Sequence, residues 1–229
     1  MIDATEIAGR LATVRDRIAA ACARARRAPD AVRLVLASKT NPPAAIRAAY
    51  AAGAREFGEN YVQEAVAKRA ALADLRDARW HLIGHLQSNK ARAAVAAFDL
   101  IHTLDRARLA AAIARIRSAP PIAMLIEVNL AGEPAKSGVA PERAEALLEA
   151  ARGLVEVRGL MAVPPAAANP ESARGWFVRL RELRDRLKAR SGLELAELSM
   201  GMTDDFEIAI EEGATIVRVG RAVFGERDR

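Results

Sequence analysis

The chain has 229 residues, 52% hydrophobic and only 4% aromatic, so it can bury a sizeable core built mainly from Ala, Val, Leu and Ile. No apolar run approaches the ~20 residues of a membrane span, and the opening MIDATEIAGR lacks the basic-then-apolar order of a secretion signal, so a soluble cytoplasmic protein is expected. A formal charge of +6 raises nucleic acid as a partner, but 29 acidic residues are interspersed with 35 basic ones, and no basic helix or stacking platform stands out.

In chain order, Ile7, Leu11, Val14 and Ile18 recur at three- and four-residue spacing and predict an N-terminal helix, with Cys22 as a small core filler in the same pattern. Short apolar runs then alternate with Ala-rich helical segments. The predicted strands are VRLVLASK (32–39), AREFGE (54–59), WHLIGH (80–85), LIHTLD (100–105), IAMLIEVN (122–129), VEVRGLMAV (155–163), LAELSMG (195–201) and TIVRVG (215–220). Helix starts are marked by Pro43, Pro141, an N-cap Ser88 and the capping-box pair Asp204 and Glu207, and helix ends by Gly53 and Gly213. PPAAANPESA (164–173) reads as a βα loop. Eight βα units without a linker or repeat predict one TIM (β/α)8 barrel over residues 1–229, with an extra N-terminal helix, rather than an open doubly wound sheet.

In such a barrel, chemistry collects where the strands end. Lys39, Asn60, His85, Asp105, Asn129, Ser199 and Arg218 each close an apolar run. Lys39 stands out because only five of the basic residues are lysines: Lys39, Lys68, Lys90, Lys136 and Lys188. Burial at the end of LVLAS would favour its neutral amine, a nucleophile toward aldehydes, which makes Lys39 a candidate Schiff-base residue. The other end of the chain points to an anion. SMGMTDDFEIAI (199–210) and VRVGRAVFG (217–225) each run from a strand through a glycine turn into a helix start, in the seventh and eighth units where barrels often bind phosphate. An aldehyde that carries a phosphate suggests pyridoxal 5′-phosphate (PLP). No His, Cys and carboxylate spacing suggests a metal.

LVLASKT, FGENYVQE, WHLIGHLQSNK, VNLAGEPAKSG, RGLMAV, LSMGMTDDFEIAI and VRVGRAVFGERD, in this order, resemble the pyridoxal phosphate homeostasis proteins, the YggS-type family, from Val32 to Asp228. The resemblance implies a single barrel like the N-terminal domain of alanine racemase, PLP held on a lysine, and a role in intracellular cofactor homeostasis, as a carrier or buffer affecting amino- and keto-acid balance, without established turnover. It implies Lys39 as the Schiff-base lysine, Asn60 near the cofactor ring and Arg218 toward the pyridine nitrogen. Ser199 and Thr203, with backbone amides around Gly201, Gly220 and Arg221, are implied to hold the phosphate, Met200 is a further cofactor-binding candidate, and Thr203 stands where a serine is associated with the motif. His85 is a candidate for stacking on the ring, while His81 and His102 are expected to be packed inside strands. Lys136 is an exposed loop lysine that could bind the aldehyde weakly. Recipient apo-enzymes are possible partners. With the chain ending at GERDR there is no room for a racemase's second domain, and a monomer is expected. A small PLP-dependent racemase-like enzyme is the alternative.

Overall fold

The computed structural model describes residues 3–116, 120–165 and 169–225. Its strands are β1 (Arg33–Ala37), β2 (Glu56–Glu59), β3 (Arg79–Leu82), β4 (Leu100–Leu104), β5 (Ala123–Glu127), β6 (Glu156–Met161), β7 (Glu197–Ser199) and β8 (Ile216–Val219). They pair in chain order, all parallel, and β8 returns to β1 with Val35 opposite Arg218 to close the barrel. Around it lie α1 (Ala4–Arg24), α2 (Pro43–Ala51), α3 (Val62–Ala71), α4 (Ala91–Ala97), α5 (Ala107–Ala114), α6 (Ala144–Ala151), α7 (Arg174–Ser191), α8 (Phe206–Glu211) and α9 (Arg221–Phe224).

All eight predicted strands are present, mostly with shorter ends. The run expected to reach His85 stops at Leu82, and at Gly84 the chain passes so close to Asn60 that an added Cβ would collide with its carbonyl oxygen. The extra helix α1 starts at Asp3, whose carboxylate accepts from the Thr5 amide at 2.9 Å. Its Ile7, Leu11, Val14 and Ile18 are buried with Cys22 against α2 and α8, each such apolar side chain contributing about 1.5–3 kcal/mol.

Pro43 opens α2, Pro141 opens a short 3-10 turn before α6, and Gly53 and Gly213 take positive φ just past their helices. Two start signals act differently. Ser88 begins a 3-10 turn without capping it, and its hydroxyl accepts from Arg106 instead. The capping box does not form: Asp205 is the residue before α8, while Asp204 pairs with Arg221 and Glu207 with Arg17. The loop 164–173 does lead from β6 to α7, though its residues 166–168, like Asp228 at the end of the family-like stretch, lie outside the described residues.

Strand side chains alternate between two cores. Leu36, Phe57, Leu82, Ile101, Met124, Leu160, Leu198 and Val217 join the helices in the outer one. Val35, Leu100, Ala123, Leu125, Met161 and Ile216 form the inner one, inside the barrel. The inward set also carries Arg33, hydrogen-bonded to Glu197, and a separate hydrogen-bonded line of Glu56, His81, His102, Ser199 and Arg218. Continued to the strand ends, the same parity reaches Lys39, Asn60, His85, Glu127 and Gly220.

Candidate functional site

Lys39 stands just beyond β1, where Thr40 at φ 66° turns the chain. It is half-buried, because the turn places it at the rim rather than inside. The buried lysine of this corner is Lys68 on α3, 5% exposed. Its ammonium donates to the Ser38 carbonyl at 2.8 Å and to Glu59 and Glu64, each at 2.7 Å. The Ser38 hydroxyl also donates to Glu59, at 2.6 Å, and Glu64 accepts from the Thr40 amide at 2.6 Å. Burial pushes the Glu59 carboxyl up, against the Lys68 and Ser38 hydrogen bonds. The residues on both sides of Lys39 are thus anchored by one cation, so the amine stands on a fixed base.

Arg218 sits on β8 beside β1 and is 4% exposed. Its guanidinium donates to the Ala162 carbonyl at 3.0 Å and to the Ser199 hydroxyl at 2.6 Å. Burial pushes its pKa down to about 10, with Asp205 and Glu127 opposing the fall. It remains a cation at neutral pH. Ser199 is fully buried below the rim, and its hydroxyl also meets His102 Nδ1 at 2.9 Å. The Ser199 hydroxyl is thus engaged with both Arg218 and His102. The Met200 side chain packs in the outer core and its amide donates to Ile216 O at 3.1 Å. His81 and His102 are packed inside the barrel as expected.

The turns after β7 and β8 leave little room for a side chain. At Gly201, φ 90°, a Cβ would lie 2.5 Å from Ala209 Cβ and 2.9 Å from Phe206 Cα, and at Gly220 one would lie 3.0 Å from Ala37 O. Among the described residues, the amides of Gly201, Thr203 and Gly220 donate to no backbone carbonyl outside regular helices and strands. Thr203 is half-buried, and the Asp204–Arg221 ion pair ties the two turns together.

Across the rim, Asn60 Oδ1 is buried without a hydrogen-bond partner, and so is Glu127 Oε2. Burial, reinforced by the neighbouring Asp105 and opposed by Arg218, raises the Glu127 pKa to about 7. His85 is exposed at the mouth, with Nδ1 3.2 Å from Asp105 and 3.1 Å from Ser137 Oγ. Lys136 lies in the loop after β5, paired with Glu133 at 2.7 Å and donating to Pro164 O at 3.2 Å. Lys39, Asn60, Gly201, Thr203, Arg218, Gly220 and Arg221 therefore share one end of the barrel. Sequence reasoning does not reach Glu127 or Lys68. Glu127 has the inward parity of Asn129 in IEVN, a readable signal, whereas Lys68 lies on a helix and only the fold brings it under Ser38.

A closed parallel barrel with a lysine, a buried arginine and two glycine turns at its C-terminal rim defines a class, and a family profile described as "Alanine racemase, N-terminal domain" matches residues 10–228. A pyridoxal phosphate homeostasis protein of Aquifex aeolicus is 49% identical over 222 residues, 95% of this chain and 97% of the relative, and one from Pseudomonas aeruginosa is 48% identical over 97% and 96%. The structure of PipY from Synechococcus elongatus with PLP bound superposes with a TM-score of 0.85 at 42% identity, over 96% of this chain and all of that one. The chain belongs to the pyridoxal phosphate homeostasis protein family.

Proposed function

We propose that residues 1–229, acting as one barrel and as a monomer in the cytoplasm, hold pyridoxal 5′-phosphate and take part in its homeostasis by carrying or buffering it for apo-enzymes that depend on it. The observation that carries this is the rim itself: neighbouring strands β1 and β8 lead to Lys39 and Arg218, with two side-chain-excluding glycine turns beside them. The naming of close relatives for this role and the PLP-bound relative support it.

The residues present fit the group. Thr203 and the amides of Gly201, Gly220 and Arg221 would hold the phosphate, Asn60 with its unpartnered Oδ1 would meet the ring region, and His85 lines the mouth. When bound, the cofactor supplies an aldehyde that condenses with a primary amine and a pyridine ring that accepts electrons most strongly when protonated. Lys39 supplies the amine. Arg218 would meet the ring nitrogen as a permanent donor and so oppose its protonation, which weakens the electron sink an amino-acid enzyme relies on. We infer binding without turnover on this ground. The racemase-like reading would need a proton carrier at the site, and Glu127, poised near neutrality, is the residue that favours it.

The experiment is transfer. PLP-loaded protein is mixed with an apo-enzyme, and recovered activity is compared with that given by free PLP at equal concentration, while α-proton exchange of amino acids in deuterated water is followed in parallel. Recovery of apo-enzyme activity, with exchange no faster than in free PLP, is expected. Saturable exchange dependent on Lys39 would replace the carrier by the enzyme.

A further inference from the structure

A line of side chains runs through the inside of the barrel, from its bottom to the rim. Glu56, at the start of β2, meets His81 Nε2; His81 Nδ1 lies 2.9 Å from His102 Nε2; His102 Nδ1 lies 2.9 Å from Ser199 Oγ; and Ser199 accepts from Arg218 at 2.6 Å. His81, His102, Ser199 and Arg218 are each at most 4% exposed. Side chains from separate strands thus make one line of contacts across the barrel interior.

The proton positions follow from what each group can do. A guanidinium only donates, so Ser199 is an acceptor toward Arg218 and its own proton goes to His102 Nδ1. His102 then carries its proton on Nε2 and donates to His81 Nδ1, and His81 donates its Nε2 proton to the Glu56 carboxylate. In this assignment each ring carries one proton, on Nε2, and every bond in the line has one donor and one acceptor. The reverse direction would set two donors on the Ser199 oxygen and leave its hydroxyl proton unplaced. Burial holds His102 well below the usual histidine range, with the Arg218 and Arg33 cations adding to the effect. At Glu56, burial opposes ionisation, but the His81 hydrogen bond and the nearby Arg33 and Arg79 outweigh it and keep the carboxylate below its ordinary value.

We propose that His81 and His102 are positioning residues, which act through Ser199 to fix the plane and direction of the Arg218 guanidinium, with Glu56 as the anchor of the line at the far end of the barrel. With Arg218 Nη1 spent on Ser199 and Nη2 on Ala162, the guanidinium cannot rotate without breaking two buried bonds. The consequence for PLP rests on the reading that Arg218 meets its ring nitrogen.

Two measurements test this, the first without any cofactor. Long-range proton–nitrogen NMR of the histidine-labelled apo-protein between pH 6 and 8 should show both rings neutral and protonated on Nε2. A cationic ring, or His102 protonated on Nδ1, overturns the line. The second compares wild type, His102→Leu and His102→Gln for PLP affinity, for the absorption band of the Lys39-bound cofactor and, after borohydride reduction, for the mass of the Lys39 adduct. His102→Leu should bind about two- to tenfold more weakly, the effect of one lost hydrogen bond, with an altered band, and His102→Gln, which can accept from Ser199 and donate to His81, should recover most of both. Should His102→Leu not fold, Glu56→Leu, which strips the acceptor from His81, carries the same expectation. Wild-type band and affinity in a folded variant with its adduct intact overturn the positioning role alone. A wild type without a Lys39 adduct overturns the cofactor reading and this proposal with it.

Discussion

Glu127→Gln should make the apo-protein more stable at alkaline pH and leave it nearly unchanged in acid. The carboxyl sits at the C-terminal end of β5 with Oε2 unpartnered, and burial with Asp105 nearby lifts its pKa from 4.5 to about 7, against the pull of Arg218. An acid whose pKa is raised by folding is protonated in both states below about 4.5, so it then contributes no difference. Between 4.5 and 7 the folded protein holds a proton the unfolded chain has released, and stability falls as pH rises. Above 7 the carboxylate is ionised in both states and the full cost, roughly 3 kcal/mol for the rise from 4.5 to about 7, is present. Urea denaturation of both proteins from pH 4.5 to 8.5 checks it, since the buried Glu59 and Asp205 titrate in both and cancel in the difference. The gap between the variant and wild type should open progressively from pH 5 and level off above pH 8. Parallel profiles would refute the claim that Glu127 is an unsatisfied buried acid.

Gly201→Ala should weaken PLP binding more than tenfold, measured by fluorescence titration, because its Cβ would overlap Ala209 and Phe206 at a φ of 90° and must displace the turn. Thr203→Ala should loosen PLP by about tenfold, the effect of one charge-assisted contact, and leave the affinity for pyridoxal, which has no phosphate, unaltered in equilibrium dialysis. Lys68→Met strands Glu59 in the core and should cost about 3–5 kcal/mol in denaturant melts, whereas Lys68→Met with Glu59→Leu should recover most of it. The single mutant should also slow attachment at Lys39, seen by stopped-flow absorbance, because Ser38 and Thr40 lose their shared anchor.

Much of the barrel is legible in one dimension because each strand is a short apolar run whose end is marked by returning polarity, and because helices and strands alternate without a break. The rest depends on closure. That Val35 lies opposite Arg218 emerges only once β8 pairs with β1, and Ser199 meets His102 across the barrel rather than along the chain. A histidine inside LIHTL reads as a packed residue, which it is, yet its partners come from β3 and β7. Ser199 stands just before Gly201 in the sequence, and the two-residue alternation that turns it inward brings its hydroxyl within reach of Arg218, a partner that only barrel closure supplies. Met200 obeys the same rule, facing outward into the helix layer. Asp204 and Glu207 have capping-box spacing, and Arg221 and Arg17 from other elements compete for them. Lys39 does stand at the end of β1, but the burial expected of it belongs to Lys68, because sequence shows where a strand ends and not how deeply the next residue is covered.

The central claim is that Lys39 is the residue that takes up PLP. Purified protein incubated with PLP, reduced with borohydride and digested should give a single dominant pyridoxyl-modified peptide containing Lys39, and Lys39→Arg, which keeps the charge but lacks the primary amine, should give none while remaining folded. A dominant adduct at Lys136 or any other lysine in wild type, or an undiminished one in Lys39→Arg, would contradict it.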